Sequence, residues 1–147
     1  MPKIATIGFF DGVHRGHRFL FAQLQEQAKL LNLSPVIYTF SEHPKQVLTG
    51  EAPAMLTTHA EREARLRLYG EVHFLDFALV RHLTAEQFMR YLHEEQNVDT
   101  LLIGYDHHFG SDRLKGFSEY EHVGKHIGLR VLRAYECLVD SLPVSSS

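Results

Sequence analysis

Thr6-Ile7-Gly8-Phe9-Phe10-Asp11-Gly12-Val13-His14-Arg15-Gly16-His17 is the stretch that decides how this chain folds. An apolar run beginning at Lys3 enters it and is cut off by Asp11. A different pattern leaves it. From about Gly16 to Leu31, residues Leu20, Leu24, Ala28 and Leu31 recur at helical spacing and would share one face. A short buried strand thus passes through a glycine-bearing turn into an amphipathic helix. The turn contains His14-Arg15-Gly16-His17, an H-x-G-H sequence. Gly16 lets backbone approach a ligand phosphate closely. His14 and His17 flank it and can reach the same anion, and the N–H groups and positive dipole end of the helix would add to them. The competing reading is that Asp11 simply caps the helix and nothing binds.

Working outward, the alternation repeats. Strands are expected at residues 3–9, 35–40, 72–77, 98–103 and 129–134, and helices at about 16–31, 58–69, 84–96 and 118–126. The strand segments are short and rich in Val, Ile, Leu and Phe, as suits strands buried on both faces. Alternating strands and helices predict an α/β fold with a five-stranded, mostly parallel sheet. Thr58-His59-Ala60-Glu61, Thr84-Ala85-Glu86-Gln87 and Ser118-Glu119-Tyr120-Glu121 each match the capping-box pattern, and Gly70 and Gly128 stand where helices should stop. The first helix has no such box. Polar or glycine-bearing loops follow the strands: Phe10–His14, Ser41–Pro44, Gly104–His108 and, at the far end, Ser145-Ser146-Ser147. In an open α/β sheet these loops would meet at the carboxyl edge, around the point where strand order reverses.

Composition narrows the classes of function. The chain has 147 residues, 44% hydrophobic and 22% charged, with a net charge of -3, which predicts one soluble domain with no basic face for nucleic acid. No run reaches membrane-spanning length. A lone cysteine, Cys137, fits a cytoplasmic location. There is no G-x-x-x-x-G-K-[ST], no G-x-G-x-x-G and no G-x-S-x-G, which argues against a P-loop NTPase, a dinucleotide-type Rossmann site and a serine hydrolase. Of the 11 histidines, His59, His73, His82, His93, His122 and His126 fall on expected helices or strands and read as structural. His107-His108 reads as a loop pair rather than a metal site.

Several segments in order carry a resemblance. Thr6–His17 resembles the signature of the adenylyltransferase half of bacterial bifunctional riboflavin kinase/FAD synthetases. Thr39-Phe40-Ser41-Glu42-His43-Pro44 is similar to that family's T-F-x-x-H-P segment. Leu56-Thr57-Thr58 with Glu61-Arg62 resembles its L-T-x-x-x-E-[KR] helix start, and Asp76-Phe77 with Leu83–Phe88 its next strand and helix. Gly104-Tyr105-Asp106-His107-His108-Phe109-Gly110, with Arg113 and Gly116, resembles its G-x-D-[FH]-x-F-G-x-x-R-x-G loop, and Val144–Ser147 the start of its [IV]-S-S-[ST] motif. The resemblance implies a Rossmann-like three-layer sandwich of nucleotidyltransferase type. It implies transfer of the adenylyl group of ATP to FMN, giving FAD and pyrophosphate, with Mg²⁺; no metal ligand is assigned. It would make His14 and His17 the catalytic pair. Gly8, Phe9, Asp11, Gly16, Ser145, Ser146 and Ser147 would bind the nucleotide. His43, Pro44, Gly104, Asp106, Phe109 and Gly110 would form the loops facing flavin and nucleotide. The family continues past this motif into a riboflavin kinase domain, so residues 1–147 are expected to be the adenylyltransferase domain alone. Two alternatives stay open: a related H-x-G-H transferase with another phosphate acceptor, or an ATP-binding fragment without turnover.

Overall fold

A computed structural model describes residues 1–11, 15–41, 58–104, 109–111, 114, 116–135, 138–139 and 142–143. Strand β1 (Lys3–Ile7) lies mid-sheet, between β2 (Ser34–Phe40) and β4 (Val98–Ile103). Outside them lie β3 (Glu71–Leu75), beside β2, and β5 (Arg130–Arg133), beside β4. The order is therefore β3-β2-β1-β4-β5, and every neighbouring pair is parallel. The chain first winds outward one way and then, after β3, returns to the other side of β1. This is the reversal expected of a doubly wound sheet, with its crevice between the carboxyl ends of β1 and β4.

Alternate strand residues face opposite layers, which is why strands with no polar face are stable here. Ile4, Ile37 and Leu102 pack toward helix α1 (Arg15–Leu31), through its Leu20, Phe21, Leu24 and Ala28, and toward Leu66 of α2 (His59–Leu66). Ala5, Ile7, Val36, Tyr38, Leu101 and Ile103 pack toward the opposite layer. That layer holds the short helix α3 (Phe77–Val80), α4 (Ala85–Arg90) and α5 (Phe117–Ile127), with Phe88, Met89 and Tyr120 in its core. Two helical layers on one sheet make the three-layer sandwich.

The boundaries differ from the expected ones in instructive places. β3 ends at Leu75, not residue 77, because Asp76 turns the chain: its Oδ1 accepts from the Ala78 N–H at 3.0 Å and caps α3. The helix expected over 84–96 is α-helical to Arg90 and then widens into a π turn over Tyr91–Glu95. The boxes at Thr58 and Thr84 form with both hydrogen bonds. The one expected at Ser118 does not. α5 starts a residue earlier, at Phe117, with Gly116 at the N-cap and no side-chain cap. Phe117 packs on the core, so burial rather than capping sets that start. Gly128 ends α5 in the left-handed conformation as expected. Beyond β5 there is a small antiparallel pair, Leu138–Val139 with Leu142–Pro143, that periodicity did not signal. No helix among the described residues is long and apolar enough to cross a membrane.

Candidate active site

The turn after β1 is pinned from several directions. The Gly8 N–H donates to the Tyr38 carbonyl at 3.1 Å, and the buried Thr39 hydroxyl donates to the Phe9 carbonyl at 2.9 Å. The Tyr38 carbonyl and the Thr39 hydroxyl both sit at the carboxyl end of β2, so the turn is an extension of the sheet edge. Ala5 lies opposite Leu101 in the parallel pair of β1 and β4. Three residues further on in each strand, Gly8 and Gly104 therefore leave the sheet at the same level. Gly104 is buried there.

Phe10 follows in the left-handed conformation, with φ of 60°, and its ring is buried. It meets His17 edge-on, with centroids 5.1 Å apart and planes at 80°, and Phe21 at 4.9 Å and 75°. His17 itself is only 1% exposed, on the same inward face of α1 as Leu20, Phe21 and Leu24. Gly16 precedes it, buried, in the first turn. That first turn carries no acidic side chain to offset the helix dipole. The expected apolar face of α1 is thus real, and it contains one of the two H-x-G-H imidazoles.

Arg62 is the residue whose role the sequence did not reveal. It belongs to the expected α2 start, yet it is 1% exposed. Its guanidinium lies 3.9 Å from the Phe9 ring centroid and 5.7 Å from that of Phe74, and Nη2 donates to the Phe40 carbonyl. Burial pulls its pKa below the usual arginine range, and the negative charge of Asp11 opposes this. Stacked on the turn and bonded to the end of β2, Arg62 ties α2 to the β1–α1 turn.

On the other side of the crevice, Phe109 is anchored to α5. Its N–H donates to the Tyr120 hydroxyl at 2.8 Å, and that hydroxyl donates to the Phe109 carbonyl at 2.9 Å. Its ring packs on Tyr120 at 4.5 Å and on Phe88 at 5.7 Å. Gly110 follows with φ of 92°, a conformation that favours glycine. Of the expected site residues, Gly8, Phe9, Asp11, Gly16 and His17 gather at the β1–α1 junction, and Gly104 leaves the adjacent strand. His14, His43, Pro44, Asp106, Ser145, Ser146 and Ser147 lie outside the described residues, as do His107, His108, Arg113 and Cys137. Contacts are described for three of the histidines on helices and strands. His73 stacks on Tyr38, His59 on Phe74, and His93 Nδ1 lies 2.8 Å from the Val98 carbonyl.

A family model described as FAD synthetase matches residues 1–147. The chain belongs to the FAD synthetase family. It is similar to the bifunctional riboflavin kinase/FMN adenylyltransferase of Pseudomonas fluorescens, with 38% identity over 149 residues, covering 98% of this chain and 48% of that protein. The protein of the same description from Escherichia coli strain K12 is 32% identical over the same shares. A putative bifunctional riboflavin kinase/FMN adenylyltransferase of Geobacillus thermodenitrificans is 28% identical and is covered over 79% of its length. The chain thus spans about half the length of the first two. Among solved structures, one described as a macrolide-efflux protein from Streptococcus pneumoniae superposes with a TM-score of 0.82 at 29% identity, over 99% of this chain and 48% of that one. That description stays with that protein; the likeness adds that the three-layer architecture is shared along the whole chain.

Proposed function

We propose that this chain transfers the adenylyl group of ATP to FMN, giving FAD and pyrophosphate. The observation that carries the reading is the H-x-G-H segment at the reversal point of the sheet, in a chain that belongs to the FAD synthetase family. An FMN phosphate oxygen attacks the α-phosphorus of ATP. The bond from that phosphorus to the oxygen bridging to the β-phosphorus breaks, and pyrophosphate leaves with the electron pair. The protein forms no covalent bond. It positions the two phosphates and stabilises the charge that builds on the pentavalent phosphorus.

In this reading His14 and His17 hold the ATP phosphates. The first turn of α1, with Gly16 in it, presents N–H groups and the positive end of a 17-residue helix to them. Gly8, Phe9 and Asp11 line the nucleotide side, and Ser145, Ser146 and Ser147 supply hydroxyls. His43, Pro44, Gly104, Asp106, Phe109 and Gly110 shape the flavin side. Mg²⁺ would travel on the triphosphate and neutralise part of its charge. An ion of this kind needs only one or two carboxylates besides phosphate and water, and the half-buried Asp11 at the turn suits that demand. A riboflavin kinase domain, as the relatives' names describe, would be the partner that supplies FMN.

The test is FAD formation from FMN, ATP and Mg²⁺, measured on this chain and on His17→Ala. We expect turnover in the former and a loss of about 100-fold or more in the latter, the scale of removing a charge-stabilising donor. Turnover unchanged in His17→Ala would reject the role of that residue. ATP binding without FAD, or adenylylation of a different phosphate acceptor, would overturn the assignment to FMN.

A further inference from the structure

Among the described residues, three that are not glycine have positive φ: Phe10, Asn32 and Asn97. The two asparagines are unremarkable, because their short polar side chain tolerates the left-handed region. A phenylalanine there is held against its preference, and such positions persist only where the surroundings fix them. Here the surroundings are visible. The ring fills the space above Gly8 so closely that a Cβ added at Gly8 would lie 2.7 Å from two of its atoms. From that seat it presses edge-on against His17 and Phe21. With negative φ the side chain would leave Cα in another direction, and the ring could not occupy this seat on the same backbone.

We propose that Phe10 is a positioning residue for His17. The left-handed turn drives its ring into the gap between the Gly8 backbone and the first turns of α1, and the ring fixes the plane of the imidazole. Gly8 lacks a side chain because the ring needs the room. The catalytic consequence rests on the proposed role of His17 in adenylyl transfer; the structural consequence does not.

The test compares the 147-residue chain with Phe10→Leu, which keeps an apolar side chain but loses the flat ring. His17 ring resonances are assigned by NMR through their loss in His17→Asn. We expect Phe10→Leu to shift them. It should also lower kcat for FAD formation by about tenfold with KM for FMN within about twofold, the pattern of an interaction that matters in the transition state. In the His17→Asn background, Phe10→Leu should cost nothing further. Should Phe10→Leu fail to fold, Gly8→Ala pushes on the ring without removing it and should displace the same resonances. His17 signals that stay at their original positions in the folded variant would overturn the proposal. So would an equal loss of kcat with and without His17. A parent chain that makes no FAD would sink the proposed function, while the NMR comparison would still decide the role of Phe10.

Discussion

The approach to α1 and the starts of α2 and α4 are built by different rules. At α2 and α4 a threonine hydroxyl accepts from the backbone three residues on, and Glu61 or Gln87 bonds back to the threonine N–H. Every contact is local and exposed. At the β1–α1 turn the contacts come from far along the chain: Thr39 to Phe9, and Arg62 to both Phe40 and the Phe9 ring. A phenylalanine takes left-handed backbone there, at a cost of about 1–2 kcal/mol. An imidazole and a guanidinium are withdrawn from water beside it. The scaffold agrees with its own local preferences, whereas the site is held against them by distant residues. Departures of this kind collect where function is built.

If that contrast is right, substitutions in the two regions should differ in size and in what they disturb. The largest stability effect is expected at Arg62. Arg62→Ala removes a stacked, hydrogen-bonded side chain from full burial and should cost about 3 kcal/mol, the upper part of the usual single-mutation range. It should also slow FAD formation, because the Phe9 turn loses its clamp. Arg62→Lys keeps the charge but not the planar fork that both stacks and donates, so it should recover only part of each loss. Urea unfolding read alongside turnover checks both. Gly124 in α5 lies on the other side of the sheet. A Cβ there would lie 2.5 Å from the Leu129 carbonyl oxygen and 2.6 Å from Val131 Cγ2, the former a backbone atom that cannot swing away. Gly124→Ala should cost about 2 kcal/mol by overpacking. Unlike Arg62→Ala, it should leave turnover intact in the molecules that remain folded.

The same contrast explains what could be read in advance. β4 and the body of α1 follow from periodicity, since both bury a regular pattern. The boxes at Thr58 and Thr84 are local signals and were legible. Ser118 carried the same pattern, but packing of Phe117 moved the helix start, which no local rule contains. The H-x-G-H turn pointed to the candidate site. The inward seat of His17 was latent in its spacing from Leu20, Phe21 and Leu24, because residues three, four and seven apart share a face. Arg62 was hidden. An arginine on a short helix reads as solvated, and the aromatic rings that bury it come from β1's turn and from β3. The resemblance would make Gly8 a nucleotide-binding residue, and the space a side chain would take there is filled by Phe10. A left-handed phenylalanine cannot be foreseen from propensity, because propensity argues against it.

Thr84→Ala gives the smallest effect and the cleanest control. The Thr84 hydroxyl accepts from the Gln87 N–H at 3.2 Å, and Gln87 Oε1 accepts from the Thr84 N–H at 2.9 Å. Removing the hydroxyl ends one of these bonds outright and leaves the other without its reciprocal partner. The loss is tempered because both groups are exposed to water, which can replace the cap. A cost of about 1 kcal/mol is expected, as for threonine caps generally. Urea unfolding should show it as a lower midpoint with an unchanged slope, since no new surface is exposed in either state. Turnover should not change, because the capping bonds of α4 are exposed and the helix lies in the layer opposite α1. A fall in turnover matching that of Arg62→Ala would mean that the capped scaffold and the strained turn are one coupled unit, and the division between them would fail.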